Sequence, residues 1–150
     1  LLIIRFKSIF KKICIASDHA GYNLKEEIKS FLIKNNVFSI DLGPHQLQSV
    51  DYPDFAKKVA KRINLKKSDV GILICGSGTG MAISANKLKN VRAAVWYNNA
   101  STRLYRQHNN ANIICIGSRL TNKKNVIKNI KLFLKTKFEG GRHLRRVKKI

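Results

Sequence analysis

The chain has 150 residues, of which 44% are hydrophobic and only two are proline, so composition predicts an ordered globular protein rather than a disordered one. A formal net charge of +22 suggests nucleic-acid binding, because lysine and arginine displace counterions from phosphate backbones. The lysines are spread along the chain, however, and neither a nucleic-acid motif nor an aromatic stacking platform accompanies them. We therefore expect loose, salt-sensitive binding at most, and no specific nucleic-acid partner.

No apolar run approaches the ~18 residues that a membrane span needs. The apolar run at the start is too short for a signal-peptide core, so we interpret residues 1–11 as an N-terminal extension. Residues 12–150 are then one domain that ends in a basic tail. Cys14, Cys75 and Cys115 form no C-x-x-C pair, which argues against zinc binding, redox chemistry and a disulfide framework. We expect a reducing, cytoplasmic setting and no membrane association.

Apolar, β-rich runs alternate with helical patterns along the chain, which predicts a parallel sheet covered by helices. The predicted strands are residues 12–17, 37–41, 70–75, 91–96 and 112–117. Apolar residues at helical spacing lie between and after them, at Leu24, Ile28, Phe31 and Leu32, then at Phe55, Val59 and Ile63, and last at Val126, Ile127, Ile130, Phe133 and Leu134. Asp51 is placed to cap the second helix, a third helix reaches Lys87 and a fourth reaches His108.

Polar side chains follow three of the predicted strands at their carboxyl ends. Asp18 and His19 follow the first strand, and Cys75 closes the third. Ser118 and Arg119 follow the fifth. Open parallel sheets bind ligands outside the carboxyl ends of their strands, so the sequence predicts a site at this edge of the sheet.

Residues 76–80, GSGTG, follow a strand and open a helix, so their backbone N–H groups are expected to face a bound anion. The loop lacks the Gly-Lys-Ser/Thr of a Walker A motif, and Met81 stands where a dinucleotide fingerprint needs glycine and a Cys-x₅-Arg phosphatase loop needs arginine. A helix N-terminus lowers the pKa of a nearby thiol, which favours Cys75 as a base or nucleophile. A tight turn with an incidental cysteine is the alternative.

Two further candidates lie later in the chain. His108 shares a helical face with Ala100 and Leu104, so it is either a core histidine or an acid–base group that the negative end of its helix keeps protonated. Arg142 and Arg146 are four residues apart, so in a helix they share a face and could grip one phosphate. A solvated basic tail is the alternative interpretation of these arginines.

Five blocks occur in a fixed order: SDHAGYNLKEEI (17–28), DYPDFA (51–56), GILICGSGTGMAISANK (71–87), RQHNNANIICIGSR (106–119) and EGGRH (139–143). Together they resemble the ribose-5-phosphate isomerase B family of sugar-phosphate isomerases over about residues 12–146. The resemblance implies a Rossmann-like three-layer α/β/α sandwich with a five-stranded parallel sheet. It implies a homodimer or homotetramer with sites at the subunit interface, and interconversion of D-ribose 5-phosphate and D-ribulose 5-phosphate in the non-oxidative pentose phosphate pathway.

The resemblance also assigns the site residues, with no metal and no organic cofactor. Cys75 matches the base that forms a cis-enediolate, and His108 matches the group that helps to open the furanose ring. Some relatives have a glutamate base where this chain has Met81, which takes no proton, so Cys75 must serve. The implied substrate contacts are Asp18, His19, Gly76, Ser77, Gly78, Thr79, Gly80, Asn109, Arg119, Arg142 and Arg146, with the arginines on the phosphate.

Two alternative functions remain open at this point. A galactose-6-phosphate isomerase subunit belongs to the same family, but those enzymes combine two different chains, whereas this chain carries both Cys75 and His108. The other alternative is a non-catalytic nucleic-acid-binding protein that has kept the fold.

Overall fold

The computed structural model describes residues 5–150. The strands are β1 (Ile13–Ser17), β2 (Ser39–Asp41), β3 (Val70–Cys75), β4 (Ala93–Val95) and β5 (Ile113–Gly117). The helices are α1 (Tyr22–Lys34), α2 (Tyr52–Asn64), α3 (Thr79–Ala85), α4 (Asn99–Gln107), α5 (Lys123–Lys135) and α6 (Gly141–Val147). None of these helices in the described range is long and apolar enough to cross a membrane.

The five strands form one parallel sheet in the order β2-β1-β3-β5-β4, which confirms the predicted α/β fold. Every residue of β1, β3 and β5 is buried, because helices cover both faces of the sheet. A strand that is buried on both faces has no polar side to show, which explains the uninterrupted apolar runs in the sequence. The chain reverses its direction of travel across the sheet between β1 and β3.

Side chains from the sheet alternate between two cores, one on each face. Ile13 and Ile15 of β1 point into one core with residues of α1 and α5, whereas Cys14 and Ala16 point into the other with residues of α2 and α3. This arrangement is the three-layer sandwich that the resemblance implied. Phe6 is buried in the first core, so part of the predicted N-terminal extension packs against the domain. Residues 1–4 lie outside the described residues.

Several boundaries differ from the predicted ones. The edge strand β4 is three residues long rather than six, and the helix predicted to reach Lys87 ends at Ala85. The Asn86 side chain accounts for this end, because its amide bonds to the N–H and C=O of Ala93 and ties the chain to β4. Asp51 stands at the start of α2 but makes no capping hydrogen bond, so that part of the prediction is wrong. Proline in the first turn favours the helix there instead, because its φ is already helical.

Candidate active site

Strands β1, β3 and β5 end side by side, as the sequence predicts. The Asp18 N–H donates to the Ile74 carbonyl (3.0 Å), and the Ser118 N–H donates to the Cys75 carbonyl (2.8 Å). The ends of β1 and β3 flank the point where the strand order reverses, which is where ligands bind in open α/β sheets. We call Asp18, His19, Cys75, residues 76–80 and Arg119 the carboxyl-edge cluster.

Cys75 differs from the other two cysteines in its surroundings. Cys14 and Cys115 are fully buried, and burial raises the pKa of both thiols, so they stay protonated in the core. Cys75 is 4% exposed, and its Sγ accepts a hydrogen bond from the Gly78 N–H (3.1 Å). Its sulfur therefore lies at the margin of the core, beside the turn that leads into α3.

Close packing of backbone and side chains shapes the loop 76–80. Gly78 has φ +82°, in the left-handed region that glycine adopts without strain, and this turn starts α3. A Cβ on Gly80 would lie 2.7 Å from the Tyr52 ring, so a larger residue there would displace that ring. Ser77 and Thr79 are exposed, and the first N–H groups of α3 have no acceptor within the helix. Within the loop, the Gly78 N–H donates to Cys75 Sγ and the Thr79 N–H donates to the Ser77 hydroxyl oxygen (3.4 Å), so the donors open to a ligand are the other loop amides and the Ser77 hydroxyl.

The other members of the carboxyl-edge cluster surround this loop. Asp18 is almost buried, and its carboxylate accepts a hydrogen bond from the Gly21 N–H (2.9 Å). His19 is exposed, with its Nδ1 3.3 Å from the backbone of Val50. Arg119 is exposed, and its guanidinium lies 3.1 Å from the position that a Cβ on Gly76 would take, so it covers the start of the loop.

His108 lies at the opposite edge of the sheet. It caps the carboxyl end of α4, which runs back from the end of β4 towards the start of β5 at Ile113. Ile113 pairs with Gly71 at the start of β3, whereas Cys75 pairs with Gly117 at the far end. The part of β3 from Gly71 to Cys75 is about 13 Å long. One chain alone therefore does not bring the imidazole of His108 and the Cys75 thiol together.

The basic tail folds as α6 and packs beside His108. The Glu139 N–H donates to the Gln107 carbonyl (3.0 Å), which anchors the tail to the end of α4. The His143 ring stacks on the His108 ring, with centroids 4.1 Å apart and planes 9° from parallel. We call His108, Asn109, Glu139, Arg142, His143 and Arg146 the amino-edge cluster.

Exposure and charge define the amino-edge cluster. The His108 side chain is 37% exposed, so the alternative of a core histidine is wrong. His143 is almost buried. Burial lowers the pKa of His143, electrostatic repulsion from the neighbouring His108 ring and from Arg142 lowers it further, and Glu139 opposes them. Asn109 is exposed too.

Arg142 and Arg146 both lie in α6, four residues apart and both exposed, which confirms the predicted helical pair. Among residues 5–150 neither makes an ion pair, so both guanidinium groups are available to an anion. Sequence reasoning missed Glu139 and His143. Their spacing of four residues was visible, but their contact with His108 depends on how the tail folds back.

A parallel sheet with a thiol, a carboxylate and an amide-lined loop at its switch point defines a class: α/β proteins that bind small anionic ligands at the strand ends. The family model described as Ribose/Galactose Isomerase matches residues 13–150, and the chain belongs to that family. The ribose-5-phosphate isomerase B of Escherichia coli K12 is 40% identical over 140 residues, covering 93% of this chain and 94% of the relative.

Solved structures give the same result. Ribose-5-phosphate isomerase B of Clostridium thermocellum is 48% identical with a TM-score of 0.90, and the match covers 92% of this chain and 93% of that one. Ribose-5-phosphate isomerase B of Mycoplasma genitalium, solved with bound ribulose-5-phosphate, is 45% identical with a TM-score of 0.88 and 92% coverage of both chains. The fold and family that the sequence blocks indicated are therefore confirmed.

Proposed function

We propose that this protein is an aldose–ketose isomerase that interconverts D-ribose 5-phosphate and D-ribulose 5-phosphate, a step of the non-oxidative pentose phosphate pathway. The observation that carries the proposal is the position of the Cys75 sulfur. It accepts a hydrogen bond from the Gly78 N–H, just before α3, and it lies beside Asp18 at the switch point of the sheet. The names of the relatives support it, as does the Mycoplasma genitalium structure with ribulose-5-phosphate.

The Cys75 thiolate is the proposed base. It removes the proton from C2 of the open-chain aldose, the C–H electron pair forms the C1–C2 double bond, and a cis-enediolate results. Return of the proton to C1, with transfer of the hydroxyl proton from O2 to O1, gives the ketose. A positioned base contributes about 10²- to 10⁴-fold to such a step. Met81 is fully buried and takes no proton, which leaves the thiol in this role.

The enediolate needs its negative charge stabilised, and the proposed donors are the N–H groups of residues 76–80 with the Ser77 hydroxyl. The Gly78 N–H is already bonded to Cys75, so this amide stabilises the thiolate rather than the sugar. Asp18 and His19 are proposed to contact the sugar hydroxyls. Arg119 is proposed to contact the substrate from above the loop.

The separation of the two clusters supports a site shared between two copies of the chain. The carboxyl-edge cluster holds the base, whereas His108, Arg142 and Arg146 lie at the other edge of the same chain. We therefore propose a homodimer, alone or within a homotetramer, in which His108 of the partner subunit opens the sugar ring. Arg142, Arg146 and Asn109 of the partner subunit are proposed to hold the phosphate. The binding energy of the phosphate keeps the reacting carbons in register.

All three cysteines of the described residues are free thiols, and the mechanism needs Cys75 reduced, which supports a cytoplasmic setting. The mechanism uses neither metal nor organic cofactor. The decisive assay follows ribulose 5-phosphate formation by purified protein, with and without a chelator. We expect turnover in both, and a higher kcat/KM for ribose 5-phosphate than for galactose 6-phosphate.

Reversed substrate preference would assign the chain to galactose-6-phosphate isomerases. Absence of any turnover together with salt-dependent DNA binding would instead favour the non-catalytic alternative. Both outcomes contradict the proposal.

Mixed dimers test the shared site. We expect the Cys75→Ala and His108→Gln variants to be nearly inactive when each is assayed alone. In the experiment, equal amounts of the two variants are unfolded together and refolded. Random pairing makes half of the dimers mixed, and each mixed dimer has one site with both residues intact. We expect the mixture to recover about one quarter of the wild-type rate. No recovery would show that each site uses Cys75 and His108 of one chain.

A further inference from the structure

We propose that His108, Glu139 and His143 form a binding site for a divalent transition-metal ion of the zinc type, and that the bound ion inhibits the isomerase. The ion has no part in turnover, so this is an inhibitory site and not a cofactor site. The inhibition rests on the proposed function, because it acts through His108. The metal site itself rests only on the geometry of the three side chains.

The spacing of the ligand atoms carries the proposal. Glu139 Oε2 lies 3.8 Å from His108 Nε2 and 3.5 Å from His143 Nε2, and all three ligand atoms are within 4.8 Å of one another. Two ligands of a tetrahedral zinc ion, each about 2.1 Å from the metal, are about 3.4 Å apart. The two separations between carboxylate and imidazole are long for hydrogen bonds but close to those of ligands that share one ion.

The two rings already face the same carboxylate oxygen. They stack with centroids 4.1 Å apart and planes 9° from parallel, so the rings must tilt out of this stack for the lone pairs of both nitrogens to point at one ion. His143 is almost buried and therefore held in place, whereas His108 and Glu139 are 37% and 47% exposed and give an ion access from solvent. Three protein ligands leave a fourth position for water.

The donor set and the local charge select the metal. Two imidazoles and one carboxylate suit zinc, cobalt and nickel, whereas magnesium and calcium prefer oxygen ligands alone. Arg142 and Arg146 lie on the same short helix and repel a cation, so only an ion with strong affinity for imidazole would bind. A bound ion would occupy Nε2 of His108 and so hold the imidazole that is proposed to open the sugar ring.

Cobalt(II) titration of the untagged full-length protein tests the site directly, because four-coordinate cobalt absorbs visible light. We expect one ion per chain, displaced by zinc. Glu139→Gln and His143→Gln should each weaken cobalt binding at least about tenfold, since even outer-sphere changes cost 10- to 100-fold. His45→Gln is the matched control, because His45 also faces a carboxylate, that of Asp41 at 3.8 Å, but has no second imidazole beside it.

Cys75→Ser separates this site from metal capture by the thiol. Retention of the cobalt spectrum in this variant supports the proposal, and its loss would show that the thiolate holds the ion. Zinc should also inhibit turnover reversibly, and His143→Gln should need about tenfold more zinc for half-inhibition of its own metal-free rate. Cobalt binding without isomerase activity would contradict the proposed function but not the metal site. Turnover without cobalt binding would contradict the metal site alone.

Discussion

The two edges of the sheet carry different kinds of machinery. The carboxyl-edge cluster is built on strand ends that backbone hydrogen bonds tie together, and its thiol and carboxylate are almost buried. Half of the amino-edge cluster lies on α6, a helix of seven residues, which presents two exposed arginines. Proton transfer needs a rigidly placed base, whereas a phosphate is held well by long, flexible cations. The difference matches the two roles proposed for them.

Each edge is anchored by a buried cation, but the anchors differ. Lys25 is fully buried, and its ammonium donates to Asp41 (2.8 and 2.9 Å) and to the Pro44 carbonyl (2.6 Å). Burial alone would raise the pKa of Asp41, but hydrogen bonds from Lys25 and Lys29 outweigh it and lower that pKa. This ion cluster holds Pro44, at the start of the loop that leads to Val50 beside His19. The helical pattern in the sequence, which named only Leu24, Ile28, Phe31 and Leu32 as the buried positions of this helix, did not predict it.

Arg106 is the anchor at the amino edge. Its guanidinium donates to the carbonyls of Thr136 and Ala111, so it joins the end of α4 to the segment that leads into α6. Burial, with help from the charge of Arg92, lowers its pKa to about 10. The carboxyl-edge anchor is thus an ion pair, whereas the amino-edge anchor is a cation held mainly by backbone carbonyls.

The largest effect that distinguishes the two edges is expected at Cys75, the proposed base of the carboxyl-edge cluster. Cys75→Ala should lower kcat about 10³-fold, because it removes the only proposed proton acceptor, while substrate affinity stays within a few-fold. Steady-state kinetics with a direct binding measurement separates the two effects. Cys14→Ala is the control, since Cys14 is fully buried on the same sheet and should affect stability but not kcat. Full activity of the Cys75 variant would remove the thiol from the mechanism.

The ion cluster predicts a pH-dependent stability. Asp41→Asn leaves Lys25 buried without its main partner and should lower the free energy of unfolding by about 3 kcal/mol at pH 7. Because folding lowers the pKa of Asp41, its stabilisation is complete above the unfolded value of about 3.9 and is lost as pH falls through the folded value. The stabilities of variant and wild type should therefore converge in acid.

Urea unfolding at a series of pH values measures this difference. Asp54→Asn is the control, because Asp54 is an exposed carboxylate on α2 outside the ion pairs, and it should change stability by about 0.5 kcal/mol or less. A constant difference between Asp41→Asn and wild type down to acid pH would show that the aspartate stabilises the loop by other means than its charge.

Substitutions in the amino-edge cluster should change the affinity for the substrate phosphate more than the turnover rate. Arg142→Ala should raise KM for ribose 5-phosphate about 10- to 100-fold, since hydrogen bonds to a charged group contribute about 1.5–3 kcal/mol, with a smaller change in kcat. Arg103→Ala removes the same charge from an exposed position on α4 and should leave KM nearly unchanged. Equal effects of both substitutions would mean that the general positive field, not a site on α6, attracts the substrate.

Much of the carboxyl edge was predictable from the sequence. A parallel sheet puts the ends of its buried strands at one edge, so the polar residues after each apolar run had to meet there. The stretch from Cys75 to Gly80 is contiguous, and contiguous residues stay together in any fold. The strand boundaries were less certain, because edge strands such as β4 pair on one side only and their ends depend on side chains like Asn86.

The amino edge depended on the tertiary structure. The sequence alone determined that Arg142 and Arg146 share a face if helical, because helix geometry is local. Only the folded chain places His143 on His108, separates both from Cys75 and buries Lys25, since these contacts join residues far apart in sequence. Local periodicity encodes which residues face a core, whereas long-range packing decides which distant side chains meet.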